Sequence, residues 1–303
     1  MKRLVLIDGH AVLFRAFHAY PTLTTSRGEL VNAVYGFANI LLNTIAELKP
    51  THIAVAFDRA KPTFRHAAYT QYKATRPEMP SDLAGQQERV EEVVKILNIP
   101  IFAVGGYEAD DVIGTLAEQA VPKIDEVVIV TGDHDALQLV KNTRVRVYMP
   151  GRGKIPIKMY DEVGVEEKYG SLKPEQIPDY KGLVGDSSDN IPGVRGIGPK
   201  MAIKLLREFK SVEKVYKNLD QAKDKFGNRV VQQLIDDQEQ ARLSKQLATI
   251  DRKVPIRLNV AACQVHEYDK DMVIKLFEEL EFRNLIKKLP NDSFEQMVQE
   301  ALL

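Results

Sequence analysis

The chain alternates short apolar runs with stretches of helical periodicity. Leu4-Val5-Leu6-Ile7 runs straight into Asp8-Gly9. An unbroken apolar run of this length, stopped by a turn residue, suits a strand buried on both faces of a parallel sheet. A helix through Leu13, Phe14 and Phe17 follows. A longer one is expected over Asn32–Leu48, where Val34, Phe37, Ala38, Leu41, Leu42 and Ile45 recur at helical spacing. The second strand is Ile53 to Phe57, followed directly by Asp58, and the third is Ile101 to Val104. The fourth, Val127 to Val130, leads into Thr131-Gly132-Asp133-His134-Asp135. A short helix with Leu137 and Leu139 and a strand over Arg144 to Tyr148 complete the series. Strands alternating with helices predict an α/β fold, a mostly parallel central sheet flanked by helices.

In such sheets ligands gather beyond the carboxyl ends of the strands. Asp8, Asp58, Glu108 and Asp133 all stand at or just past predicted strand ends. The stretch Tyr107-Glu108-Ala109-Asp110-Asp111 adds three carboxylates between a strand and the apolar-periodic helix through Val112, Ile113, Leu116 and Ala117. Helix capping and the helix dipole explain acidic residues in a first turn. Like charges this close nonetheless repel unless a cation lies among them.

Two later regions carry basic character. From Arg59 to Arg76 the only charges are Arg59, Lys61, Arg65, Lys73 and Arg76, interleaved with Phe64, Tyr69 and Tyr72. A charge run is ordinarily a solvated face; a purely basic, aromatic-laced one beside an acidic cluster also suits phosphate and base contacts with a single strand. Beyond a polar connection, Gly151 to Lys158, Tyr180 to Asn190 brings Asp186 and Asp189. Gly193, Gly196 and Gly198 then lead into Pro199-Lys200 and a helix over Met201–Phe209. A Gly-X-Gly turn at a helix start exposes backbone N–H groups to an anion, although a plain N-cap looks the same. The surplus of Lys and Arg from Arg195 to Lys217 tips the balance toward a sequence-independent grip on a duplex backbone. The remainder reads as helices over Val230–Ala248 and Met272–Leu280 around an extended piece at Val254–Leu258, with a weakly packing terminal helix after Pro290.

Composition narrows the class without choosing the partner. The 303 residues, 28% of them charged, describe an ordinary globular protein with room for one large or two smaller domains. Net charge is zero, so nucleic-acid binding depends on where each sign clusters. The single cysteine, Cys263, allows neither an internal disulfide nor a cysteine-based zinc site, which fits a reducing cytosol. With no long apolar span and no leader, neither membrane insertion nor secretion is expected.

The candidate ligands are Asp8, Asp58, Glu108, Asp110, Asp111, Asp133, Asp135, Asp186 and Asp189. An all-carboxylate set with no paired histidines points to hard divalent ions, Mg²⁺ or Mn²⁺. The set is too large for one octahedral Mg²⁺. Two ions about 4 Å apart can hold an attacking hydroxide and the leaving oxygen of a phosphodiester displacement. Lys73 and Arg76 are best placed to neutralise transition-state charge.

The motifs Ile7-Asp8-Gly9, Phe57-Asp58, Tyr107 to Asp111, Thr131 to Asp135, Gly185 to Gly193 and Gly196-Ile197-Gly198 together resemble the 5′-nuclease domains of bacterial DNA polymerase I, within the flap endonuclease superfamily. The resemblance runs from Leu4 to about Pro290. It implies a resolvase-like (PIN) α/β domain over 1–175, with a basic arch at about 59–80. A helix-hairpin-helix subdomain over 176–290 and a tail over 291–303 would follow. It implies 5′ to 3′ exonuclease and flap endonuclease activity on branched DNA, RNA–DNA primer strands included, in replication and repair. All nine carboxylates become metal-site residues for two Mg²⁺ or Mn²⁺ ions, and Arg15 joins Lys73 and Arg76 near the scissile phosphate. Arg65, Tyr72, Gly193, Arg195, Gly196, Ile197, Gly198, Lys200 and Lys204 become DNA contacts, with a K⁺ at the hairpin. A cytoplasmic, nucleoid-associated protein is expected, with a polymerase module fused or separate. His134 stands where that family more often has Lys or Arg. A branched-DNA-binding module without catalysis would be expected to have lost carboxylates, and none is missing. A Mg²⁺-dependent phosphatase would leave the basic segment and the hairpin unexplained.

Overall fold

The computed structural model describes residues 1–59, 62–151 and 155–290. Lys61 of the basic run and the tail beyond Pro290 lie outside the described residues. Six strands form one sheet: β1 (Arg3–Asp8), β2 (His52–Ala56), β3 (Ile101–Phe102), β4 (Glu126–Val130), β5 (Val145–Met149) and β6 (Lys158–Tyr160). Their order is β3-β2-β1-β4-β5-β6, with β1 to β5 parallel and β6 antiparallel at the edge. The chain steps outward from β1 to β3, then returns to the other side of β1 to lay down β4. A crevice therefore opens between the carboxyl ends of β1 and β4, where such sheets bind ligands.

Both faces of the sheet are covered, as the apolar runs require. Val5 and Ile7 of β1 pack into one core with the helices Gly9–Ala19, Asn32–Leu48 and Ser81–Ile96. Leu4 and Leu6 point the other way, into a core built on the helix Ala109–Ala120 and residues 250–258. Fully burying each such side chain stabilises the fold by about 1.5–3 kcal/mol. A third core unites the helices Ile177–Val184, Pro199–Phe209, Val212–Lys217 and Asn228–Asp236. The last described helices, Lys270–Glu279 and Arg283–Ile286, return to the first core.

Three sequence expectations need correction. The third strand is two residues long, because Ala103 and Val104 have already left the ladder with β2. The polar connection Gly151 to Lys158 runs into an edge strand, β6, that was not expected. The expected helix Val230–Ala248 is two helices, Asn228–Asp236 and Gln238–Ala248. Asp237 interrupts them, and its carboxylate is held by the backbone N–H and guanidinium of Arg195.

Candidate active site

The strand ends deliver their carboxylates to one place. Asp8 caps the helix that follows it, accepting from Ala11 N at 2.9 Å, and its other oxygen accepts from the Thr131 hydroxyl at 2.8 Å. Asp58 accepts from Ala109 N at 2.6 Å, which ties the end of β2 to the helix that carries Asp110. Asp133 caps the short 3₁₀ turn His134–Leu139 through Asp135 N. Asp8, Asp58, Glu108, Asp110 and Asp133 line one cleft of about 480 Å³ with His10, Lys73 and Arg76. A cleft of about 470 Å³ adjoins it and shares Asp133, Phe14, His18 and Ser188. Its walls add Arg15, Asp135, Lys181 and Asp186. Seven of the nine candidate carboxylates thus line these clefts, and an eighth, Asp189, pairs with Arg76 of the first.

The electrostatics show how crowded this arrangement is. Burial, with Asp58 and Asp133 adding repulsion, raises Asp8 to about 7. Burial and then Glu108, Asp133 and Asp8 push Asp110 well above the usual carboxylate range. Asp110 nonetheless lines the cleft and is half-buried rather than sealed in the core. Burial and Asp133 also raise Asp135 to about 7 against the pull of Lys181. His10 is pushed down by burial, with Asp58 pulling the other way. Side-chain cations sit between the acids. Lys73 Nζ lies 2.7 Å from Glu108, and Glu108, Asp189 and Asp110 keep it charged despite burial. Arg76 pairs with Asp189, and Lys181 bridges Asp135 and Asp186. Among the described residues no three acidic, histidine or cysteine side chains already converge on one point as metal ligands. Lys73, Arg76 and Lys181 hold Glu108, Asp189, Asp135 and Asp186 in ion pairs.

The sequence matches the 5′-3′ exonuclease N-terminal resolvase-like domain over residues 3–170 and the 5′-3′ exonuclease C-terminal SAM fold over 172–271. The chain belongs to the 5′-3′ exonuclease family. It is 48% identical over 294 residues to DNA polymerase I of Chloroflexus aurantiacus, covering 95% of this chain and 31% of that protein. It is 42% identical over 301 residues to DNA polymerase I of Bacillus subtilis, covering 99% and 34%. The chain therefore spans about a third of the length of the curated relatives it matches. Among solved structures, the T5 D15 protein co-crystallised with metal ions superposes with a TM-score of 0.68 at 21% identity, over 92% of this chain and 98% of that one. The catalytic core of Rad2 in complex with DNA substrate gives 0.59 at 17%, over 92% and 87%. The family and the α/β-plus-helical fold expected from the sequence are both borne out.

Within this fold several expected site residues are engaged in contacts inside the protein. Asp111 is fully buried and lines neither of these two clefts. Its oxygens accept from Arg65 at 2.8 Å twice, from Glu108 N and from Asp251 N, which leaves no lone pair for a metal. Arg65, expected on DNA, is 2% exposed and spends its donors on Asp111, Glu108 and the carbonyls of Leu247 and Thr249. Tyr72, also expected on DNA, is buried against Ile191, Leu247 and Ala248, and its hydroxyl lies 3.1 Å from both Glu108 and Asp189. The sequence showed that this segment is basic and aromatic but not which side faces inward.

At the hairpin, Ile197 is buried in the helical core, and Gly193 donates to Ser244 Oγ and accepts from Gln240, so neither presents itself to a ligand. Arg195 is clamped to Asp237 but remains 80% exposed. Gly196, Gly198, Lys200 and Lys204 are exposed around the start of the helix Pro199–Phe209. Arg15 lines the second cleft and donates to the Pro150 carbonyl. Lys181 is among the residues that sequence reasoning missed. Its signal was available: five residues before Asp186 on a helix ending at Val184, it can reach back over the loop.

Proposed function

We propose that this chain is a structure-specific 5′ nuclease that hydrolyses DNA phosphodiesters, leaving a 5′-phosphate and a 3′-hydroxyl. The observation that carries the reading is the convergence of Asp8, Asp58, Glu108, Asp110, Asp133, Asp135 and Asp186 on adjoining clefts at the switch point of the sheet. The donor set fits two Mg²⁺ ions, with Mn²⁺ able to replace them, because every candidate oxygen is a hard carboxylate and the like charges want a cation. When bound, divalent ions lower the pKa of water and neutralise phosphate charge. Lys73 and Arg76 sit on Glu108 and Asp189 in the free protein, and an incoming phosphate offers them a new partner. Together with Arg15 they would orient the phosphate and balance its growing charge. The exposed Lys200 and Lys204, with the Gly196 and Gly198 backbone, would hold the duplex, with K⁺ as a structural ion there. We assign the chemistry to residues 1–175 together with Asp186 and Asp189 of the following subdomain, and duplex binding to the helical core within 176–290. The branched, flap or RNA–DNA substrate, a polymerase module beside this one, and a cytoplasmic, nucleoid-associated location belong to the same reading. Among the described residues no helix is long and apolar enough to cross a membrane.

A 5′-labelled flap duplex is expected to be cut near its junction with Mg²⁺, not with EDTA, while an unbranched strand survives. Tight binding without cutting in either Mg²⁺ or Mn²⁺ would favour a binding module.

The carboxylates also set a pH dependence. Asp8 and Asp135 titrate near 7 in the folded chain and near 3.8 when unfolded, so folding takes up protons between those values. The metal-free protein is stabilised at the acid end of that window and loses this contribution as pH rises through 7. Its melting temperature in EDTA should fall by several degrees between pH 5.5 and 8, and Mg²⁺ should restore most of the loss at pH 8 and little at pH 5.5. Equal Mg²⁺ stabilisation at the two values would place the ion elsewhere.

A further inference from the structure

His10 is the second residue of the helix Gly9–Ala19, immediately after the glycine that follows Asp8. That position places an imidazole in the cleft that Asp8, Asp58, Glu108, Asp110 and Asp133 share with Lys73 and Arg76. Its ring leans on Phe14, with centroids 5.6 Å apart, which restrains the ring plane. The Nδ1 atom is buried and makes no hydrogen bond among the described residues. The neighbouring carboxylate oxygen, Asp58 Oδ2, lies 3.8 Å away. That is too long for a hydrogen bond. It is slightly more than the roughly 3.0–3.5 Å between two donors that each hold one small divalent ion at about 2.1 Å. A buried nitrogen left unpaired costs free energy, and none of the roles assigned above to the carboxylates or the basic side chains uses it.

Resting on the metal-site reading, we propose that His10 Nδ1 is a direct nitrogen ligand, paired with Asp58, that biases this site toward Co²⁺- and Zn²⁺-like ions. Oxygen-only sites suit Mg²⁺, whereas an imidazole strengthens binding of the later divalent metals. The same cleft would then accept Mg²⁺ through its carboxylates and hold a borderline ion more tightly through this one added nitrogen. A shorter or carbon-only side chain at this position would leave an all-oxygen set.

The test is equilibrium titration of the metal-free full chain, without DNA, with Co²⁺ and with Mg²⁺. Wild type is compared with His10→Asn and with His10→Phe, which keeps a ring against Phe14. Both variants should lose about tenfold in Co²⁺ affinity while Mg²⁺ affinity stays within about twofold, and the visible bands of bound Co²⁺ should shift. In wild type, Zn²⁺ should move a histidine Nδ1 resonance in ¹⁵N spectra that both variants lack. Equal changes in Co²⁺ and Mg²⁺ affinity, or an unmoved resonance, would overturn the assignment while leaving the metal site standing. A wild-type chain that binds neither ion would overturn both.

Discussion

Replacing Asp110 with asparagine should abolish cleavage and, in the same molecule, stabilise the metal-free protein. Asp110 lies in the cleft with its charge opposed by burial and by Glu108, Asp133 and Asp8. Asparagine keeps the shape and removes one of four mutually repelling charges. The relief of repulsion should raise the melting temperature by a few degrees at pH 8 in EDTA. Cleavage should fall by on the order of a thousandfold, as expected when a ligand of a catalytic ion is lost. Flap binding in Ca²⁺ should hold. A variant that still cuts near the wild-type rate, or that melts lower than wild type, would make Asp110 a structural carboxylate.

The opposite pattern is expected at Arg65. Arg65→Met leaves Asp111 buried without its cation and unpairs the Leu247 and Thr249 carbonyls. Breaking a buried ion pair from one side destabilises by roughly 3–5 kcal/mol. Adding Asp111→Leu should recover only about half, because the N–H groups of Glu108 and Asp251 lose their acceptor too. Urea unfolding gives the numbers. Flap-DNA affinity, measured where the variant is still folded, should change little. A stable variant with weakened, less salt-sensitive DNA binding would return Arg65 to the nucleic-acid surface.

What the sequence disclosed follows from where each signal lives. β1, β2 and β4 were legible because sheet strands buried on both faces must be continuously apolar, and the acid that ends each run marks its carboxyl end. β6 was not, because a three-residue edge strand of Lys158, Met159 and Tyr160 needs no apolar run. The break at Asp237 was hidden because the helical apolar pattern continues through it on both sides. The carboxylates could be collected from the topology alone, but their division of labour could not. Asp110 and Asp111 are neighbours in sequence, and one helical step turns the first to the cleft and the second to Arg65. Charge can be read along a chain; burial, which decides whether Arg65 and Tyr72 meet solvent or Asp111 and Glu108, depends on partners far away in sequence.

The loop between the cleft and the hairpin closes on itself. Asp186 and Ile191 exchange both backbone hydrogen bonds, at 2.8 and 2.7 Å. At its base Gly185 and Gly193 both have positive φ and press so closely that a Cβ on Gly193 would lie 2.3 Å from Gly185 N. Asp186 and Asp189 therefore share one closely packed piece of backbone with the glycines that begin the hairpin. If the hairpin grips duplex as proposed, the distance from grip to blade is a fixed gauge set by these few residues. The place of incision would then be counted from the paired region, and the length of the loose 5′ end would drop out of the measurement.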